Sequence, residues 1–187
     1  DHGVMYGIKE FSDYCASVNK KRKKDGLEPF KPVFGCEMYV AHHHKEDKHK
    51  SAGDSSGYHL IVLAKTYHGY KNLIKLVSRS WVDGYYYKPR TDRYDLEKYH
   101  EDLIVSSACL GGEIPQKILA GDIKGAREAV EWYHNLFGDD FYLELQRHQV
   151  TDPSLHANRE TYPLQQQVNK VLTQFAKEYG IKLICTN

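Results

Sequence analysis

The chain has 187 residues, enough for about one domain with a sizeable core, and its 41% hydrophobic and 27% charged content is ordinary for a globular protein. With 26 basic against 25 acidic side chains the net charge is +1, which excludes a bulk electrostatic argument for nucleic acid or membrane; such a partner must be recognised locally. The longest strongly apolar run, Leu60-Ile-Val-Leu-Ala64, is far too short to span a bilayer and no secretory signal opens the chain, so a cytoplasmic setting is the default expectation. Four cysteines (Cys15, Cys36, Cys109, Cys185) lie far apart without a CxxC pair, which suits reduced, buried thiols better than a disulfide framework.

Asp1-His2-Gly3 leads into Phe11, Tyr14, Cys15 and Val18 at helical spacing, and this predicts a helix ending at Asp25-Gly26. Its basic end, Lys20 to Lys24, reads as a solvated terminus that suits the helix dipole rather than as a phosphate patch. Pro32 to Val40 reads as a buried strand interrupted by one carboxylate, Glu37, which needs a cation or donor beside it to be buried. Residues 42–57 read as a polar, mobile surface loop; His42, His43, His44 and His49 within it suit adventitious chelation better than a designed metal site.

Tyr58 to Ala64 predicts a second strand with His59 at its start, followed by a helix carrying Tyr70, Leu73, Ile74, Leu76, Val77 and Trp81 on one face. Tyr85 to Asp92 reads as a ring-rich loop with two cations, Lys88 and Arg90, and Asp95 to Tyr99 as a short helical turn. Leu103 to Cys109 is a third predicted strand, residues 123–136 a helix, Phe141 to Gln146 a fourth strand, residues 162–179 a helix stopped by Gly180, and Ile181 to Thr186 a fifth strand. Strands separated by helices predict a mostly parallel α/β sheet covered on both faces, either doubly wound or a barrel. In such folds reactive groups gather at the carboxyl ends of strands, and His2, Glu37, His59 and Cys109 form a mixed donor set suited to zinc or to manganese and iron. The plain alternatives are a hydrogen-bonded core imidazole for His59 and a small buried hydrophobe for Cys109.

Taken together and in this order, Asp1-His2-Gly3, Gly35-Cys-Glu37-Met-Tyr-Val40, Tyr58-His59-Leu, Gly84-Tyr-Tyr-Tyr-Lys-Pro-Arg90, Ser107-Ala-Cys-Leu-Gly-Gly-Glu-Ile-Pro115 and Phe141-Tyr-Leu-Glu-Leu-Gln146 resemble the PHP (polymerase and histidinol phosphatase) domain of bacterial DNA polymerase III alpha subunits. The resemblance runs from the first residue to the last. It implies a single PHP domain over 1–187 with a distorted (βα)7 TIM-like barrel and a divalent metal cluster, zinc or manganese/iron, at the strand ends. Carried over residue by residue, the ligands are His2, Glu37, His59 and Cys109, with Lys88 or Arg90 holding phosphate.

The resemblance also implies that the family's first strand with its His-x-His pair and its closing Asp-x-His motif are missing here. The barrel is then incomplete, and the chain by itself is expected to bind metal poorly. The implied parent synthesises DNA. Within it the domain is either a phosphoesterase that removes 3′ nucleotides or a structural platform docking a separate proofreading exonuclease and other replicase subunits. A stand-alone phosphatase of the histidinol phosphate type is a third reading.

Overall fold

The computed structural model describes residues 1–49 and 56–186; of the predicted loop at 42–57, residues 50–55 lie outside the described residues. The described strands are β1 (Gly35–Val40), β2 (Tyr58–Ala64), β3 (Tyr85–Tyr86), β4 (Lys88–Thr91), β5 (Leu103–Ser106), β6 (Phe141–Gln146) and β7 (Lys182–Thr186). The helices are α1 (Ile8–Lys24), α2 (Tyr67–Val82), α3 (Arg93–Tyr99), α4 (Glu113–Leu119), α5 (Ile123–Phe137) and α6 (Tyr162–Tyr179). The strands form one sheet in the order β3-β4-β1-β2-β5-β6-β7. β1, β4, β5, β6 and β7 run the same way, while β2 is antiparallel to both of its neighbours and β3 to β4.

The sheet is mixed α/β and mostly parallel, as the sequence predicts, but its helices do not cover both faces. Side chains alternate across a strand, and Cys36, Met38, Val40, Leu60, Val62, Leu103, Val105, Phe141 and Leu143 all fall on one face. There they join a single cluster with Leu73 and Leu76 of α2, Leu96 of α3, Ile114 of α4, Tyr133 of α5 and Leu172 of α6. Each fully buried leucine in this cluster contributes about 2 kcal/mol of transfer free energy. The other face, carrying Glu37, Tyr39, His59, Ile61 and Ser106, has no such helical layer among the described residues. One-sided packing is the arrangement of strands and outer helices in a barrel rather than in a doubly wound sheet.

The structure departs from the sequence pattern at several elements besides. Lys88-Pro-Arg-Thr91, read as loop, is the strand β4 and is paired to β1 through Tyr39 and Arg90. Its proline and two cations hide a strand whose Arg90 and Thr91 are fully buried. β5 ends at Ser106 rather than at Cys109, so the thiol lies in the loop beyond the strand. Cys185 is exposed on β7, whereas the other strand cysteine, Cys36, is buried; all four cysteines are free thiols. Among the described residues no helix is long and apolar enough to cross a membrane.

Candidate metal centre

β1 supplies the carboxylate. Glu37 stands in the middle of β1 rather than at its end, on the face away from the hydrophobic core. Gly3 places its neighbour: the Gly3 amide donates to the Glu37 carbonyl at 2.8 Å, and the Glu37 amide donates to the Asp1 carbonyl at 2.9 Å. Asp1-His2-Gly3 therefore runs beside β1 as a short parallel bridge. Gly3 fits there because its φ is +68° and a Cβ would stand 2.7 Å from Pro89 Cγ. The Trp81 indole closes this turn by donating to the Gly3 carbonyl at 2.7 Å.

The antiparallel direction of β2 resolves the odd position of His59. Tyr39 pairs with His59, so the start of β2 lies at the rim where β1 and β5 end. The His59 amide donates to the Gly111 carbonyl at 2.9 Å, which locks β2 to the loop after β5. In that loop Ala108 has φ +60°, a left-handed conformation that costs a non-glycine residue about 1 kcal/mol and turns the chain immediately before Cys109. Gly111 lies so close to the imidazole that a Cβ would stand 2.9 Å from His59 Nδ1.

The result is a chain of contacts through all four sequence-predicted ligands. His2 Nδ1 is 2.8 Å from Glu37 Oε1, the same oxygen is 3.4 Å from His59 Nδ1, and His59 Nδ1 is 3.3 Å from Cys109 Sγ. Side-chain exposure falls from 75% at His2 to 31% at His59 and 16% at Glu37, so the chain opens to solvent at its His2 end. Burial pushes the Cys109 thiol up, and the Glu37 charge adds to this against the Gly111 amide, which donates to the sulfur at 3.4 Å. A divalent cation acts the other way and holds a coordinating thiol deprotonated.

The donor set fits such a cation. Ligand atoms around one tetrahedral ion, with metal–ligand bonds of about 2.0–2.3 Å, stand roughly 3.3–3.8 Å apart, close to the two contacts at His59. Among the described residues no three of these side chains already surround one point. A cation held here would require these side chains to rotate so that bonds to the ion replace their direct contacts.

Lys88 and Arg90 part company. Lys88 is exposed, with its ammonium 5.3 Å from the centroid of Tyr39, whose ring meets His59 edge-on at 5.2 Å. Arg90 is fully buried: Nε donates to the Gly84 carbonyl, and Nη2 donates to the carbonyls of Lys45 and Asp47 at 2.8 and 2.9 Å. That guanidinium ties the loop after β1 to β4 and does not face a solvent-borne phosphate. In the same loop Lys45 is buried and paired with Asp92 and Asp95, an anchor the polar sequence of 42–57 does not reveal.

Sequence reasoning also passed over Glu144. It is buried in β6 behind the site and accepts from the hydroxyls of Ser106 and Thr186 and from the Gln146 amide. Its signal is the one that singles out Glu37, a lone carboxylate in an apolar strand.

Two cavities lie on opposite rims of the sheet, and one of them adjoins the centre. One of about 570 Å³ shares the His59 and Gly111 wall with it. Another of about 600 Å³, between α1 and the segment Lys31 to Phe34, lies at the far rim with Ala64 and Ile104. The far one is no part of the centre, and two of its lysines are paired, Lys9 with Asp13 and Lys65 with Asp140.

The profile of the PHP domain matches residues 1–148. Over the whole of this chain, the DNA polymerase III subunit alpha of Borreliella burgdorferi is 42% identical, that of Thermus aquaticus 38% and that of Aquifex aeolicus 36%. The chain spans only 14% of the length of the first two relatives and 15% of the third. With that match covering most of the chain, the chain belongs to the PHP domain family.

Proposed function

We propose that this chain is the PHP domain of a replicative DNA polymerase III alpha subunit, and that in the complete protein it is a metal-dependent phosphoesterase acting on the 3′ end of DNA. The observation that carries the reading is the unbroken contact chain His2, Glu37, His59, Cys109, within 2.8–3.4 Å at every link. A bound divalent cation would polarise a phosphoryl oxygen and activate water. Glu37 contributes the charge that both imidazoles share. Tyr39 braces the edge of His59, and Lys88 is the exposed cation next to that pair, placed to hold a phosphate oxygen. Arg90 acts only through the backbone it supports. Under this reading the setting is the bacterial cytoplasm, and the partners are DNA and other replicase subunits.

A second reading, a platform for a separate proofreading exonuclease, draws on a different surface. Tyr6, Ile74, Trp81 and Val82 are exposed together around a cavity of about 490 Å³ between the first turn of chain and α2. The third, a stand-alone phosphatase, has no support in relatives of which this chain is a small part.

The experiment is a 3′→5′ exonuclease assay of the complete alpha subunit with Cys109→Ala. Loss of a metal ligand is expected to lower the rate by about 100-fold or more while leaving primer extension intact. An unaltered nuclease would exclude Cys109 from the chemistry and favour the platform.

A further inference from the structure

Away from the metal centre, α1 keeps nearly all of its surface in solvent, with Cys15 its one buried residue. Its last turns hold Lys20-Lys-Arg-Lys-Lys24, and the stretch from Lys20 to Lys31 sets six basic side chains against two acidic ones, Asp25 and Glu28. That stretch carries +4 in a chain whose net charge is +1, so the remaining residues together carry −3. The structure sorts the five cations of the run. Arg22 Nε donates to the Glu28 carbonyl at 2.6 Å, and Asn19 donates to the Phe30 carbonyl at 2.8 Å and accepts from the Phe30 amide at 2.7 Å. These bonds hold the segment with the exposed Leu27 and Phe30 along one side of the helix. At roughly 100° per residue, Lys20, Lys21, Lys23 and Lys24 fall on the other side within about 160° of one another, and all four are exposed. Among the described residues they have no ion-pair partner, whereas Lys9 on the same helix is held by Asp13. The helix dipole favours cations in this last turn. It does not remove the repulsion of Lys20 from Lys23 and Lys24, three and four residues on, which destabilises a helix; a polyanion lying across the face does.

We propose that this lysine face binds the phosphate backbone of duplex DNA without reading its sequence. Four ammonium groups on flexible stems are point charges that suit phosphate. They span a rise of about 6 Å along the helix, which compares with roughly 3.4 Å of axial spacing between successive phosphates of one strand, so about three contacts form together. The face itself holds no apolar side chain, which a protein interface needs at its centre and a lipid surface needs for insertion. With the rest of the chain net negative, a polyanion is steered to this end of α1. The choice of duplex DNA rests on the reading of the chain as part of a DNA polymerase subunit, and not on the phosphoesterase reading.

The test is equilibrium binding of the complete protein to a blunt DNA duplex of about 30 base pairs over a series of salt concentrations, because each phosphate contact contributes about 0.9 to the slope of log affinity against log salt. A variant with Lys20→Gln, Lys23→Gln and Lys24→Gln keeps good helix formers at all three positions. It is expected to make the slope shallower by about 2–3 and to lower affinity near 0.1 M salt by about 100-fold. Lys20→Arg, Lys23→Arg and Lys24→Arg together are expected to keep the slope. A control with Lys124→Gln, Lys170→Gln and Lys177→Gln removes the same charge from exposed positions of α5 and α6, and is expected to leave the slope within about 0.5 of the unaltered protein's. An equally shallow slope in the control reports net charge alone and overturns the proposal, as does an unchanged slope in the first variant. Loss of polyglutamate binding in the first variant with an unchanged DNA slope assigns the face to an acidic protein and also overturns it. If the unaltered protein extends a primer and the slope does not move, the polymerase reading stands and this surface falls. If the slope moves but no metal is bound and no 3′ end is cleaved, the surface stands and the phosphoesterase reading falls.

Discussion

Replacing Glu37 with alanine in the complete protein is expected to lower its affinity for divalent metal by more than about 100-fold. Changes to groups that merely orient a ligand already cost 10–100-fold in metal affinity. Glu37 Oε1 lies within reach of both imidazoles, 2.8 Å from His2 and 3.4 Å from His59, so its loss removes the charge between them. Glu37→Gln keeps a hydrogen-bonding oxygen near His2 without the charge and is expected to fall between the two. Metal content after dialysis, measured by elemental analysis, checks this. Undiminished metal in Glu37→Ala would remove Glu37 from the centre.

Asp95→Ala is expected to destabilise the chain by about 3–5 kcal/mol, the usual cost of breaking a buried ion pair by removing one partner. Asp95 is fully buried at the start of α3 and accepts from Arg79 Nε at 3.0 and 2.9 Å, while Lys45 Nζ stands 3.1 Å away. Asp92 binds the same lysine, accepts from its backbone amide at 3.1 Å, and caps α3 by accepting from the Asp95 amide at 2.9 Å. Arg79 also meets Asp83 at 3.3 Å, so two cations face three anions; without Asp95 the buried Lys45 retains one carboxylate at 3.6 Å. Thermal unfolding should show a midpoint lower by roughly 10 °C. The double variant Lys45→Met, Asp95→Leu should recover most of it, because well-packed apolar groups can replace a buried pair at little cost. A shift of under about 2 °C in Asp95→Ala would show that the cluster does not hold the loop after β1.

What the sequence reveals of this fold follows from how strongly each element depends on local pattern. α5 and α6 are legible almost to the residue because their apolar positions recur at helical spacing and Gly180 ends α6 with a left-handed φ of +67°. β2 is legible as an apolar run, but its direction is not, since strand direction is set by partners far away in sequence. That direction matters most to the site: a parallel β2 would place His59 at the opposite rim from Cys109. β4 was hidden for a related reason. Arg90 belongs in a buried strand only because the carbonyls of Gly84, Lys45 and Asp47 surround its guanidinium, and those carbonyls come from loops whose course no local pattern predicts.

At the centre, Glu37 could be singled out because a lone carboxylate in an apolar strand requires a partner. His2, His59 and Cys109 stand out only by residue type and place beside predicted strands, a weak signal that the resemblance strengthens, and the fold brings each into contact with its neighbour. Glu144 carries the same signal as Glu37, a lone carboxylate in an apolar strand, and is legible by the same rule.

The most direct measurement is the near-ultraviolet and visible spectrum of the complete protein titrated with cobalt(II). A thiolate bound to cobalt gives a sulfur-to-metal charge-transfer band that oxygen and nitrogen ligands do not. The band is expected in the unaltered protein and absent in Cys109→Ser, with the ligand-field bands of His59→Ala altered in the same titration. A spectrum without the band, or one that Cys109→Ser leaves unchanged, would contradict a metal centre at this rim.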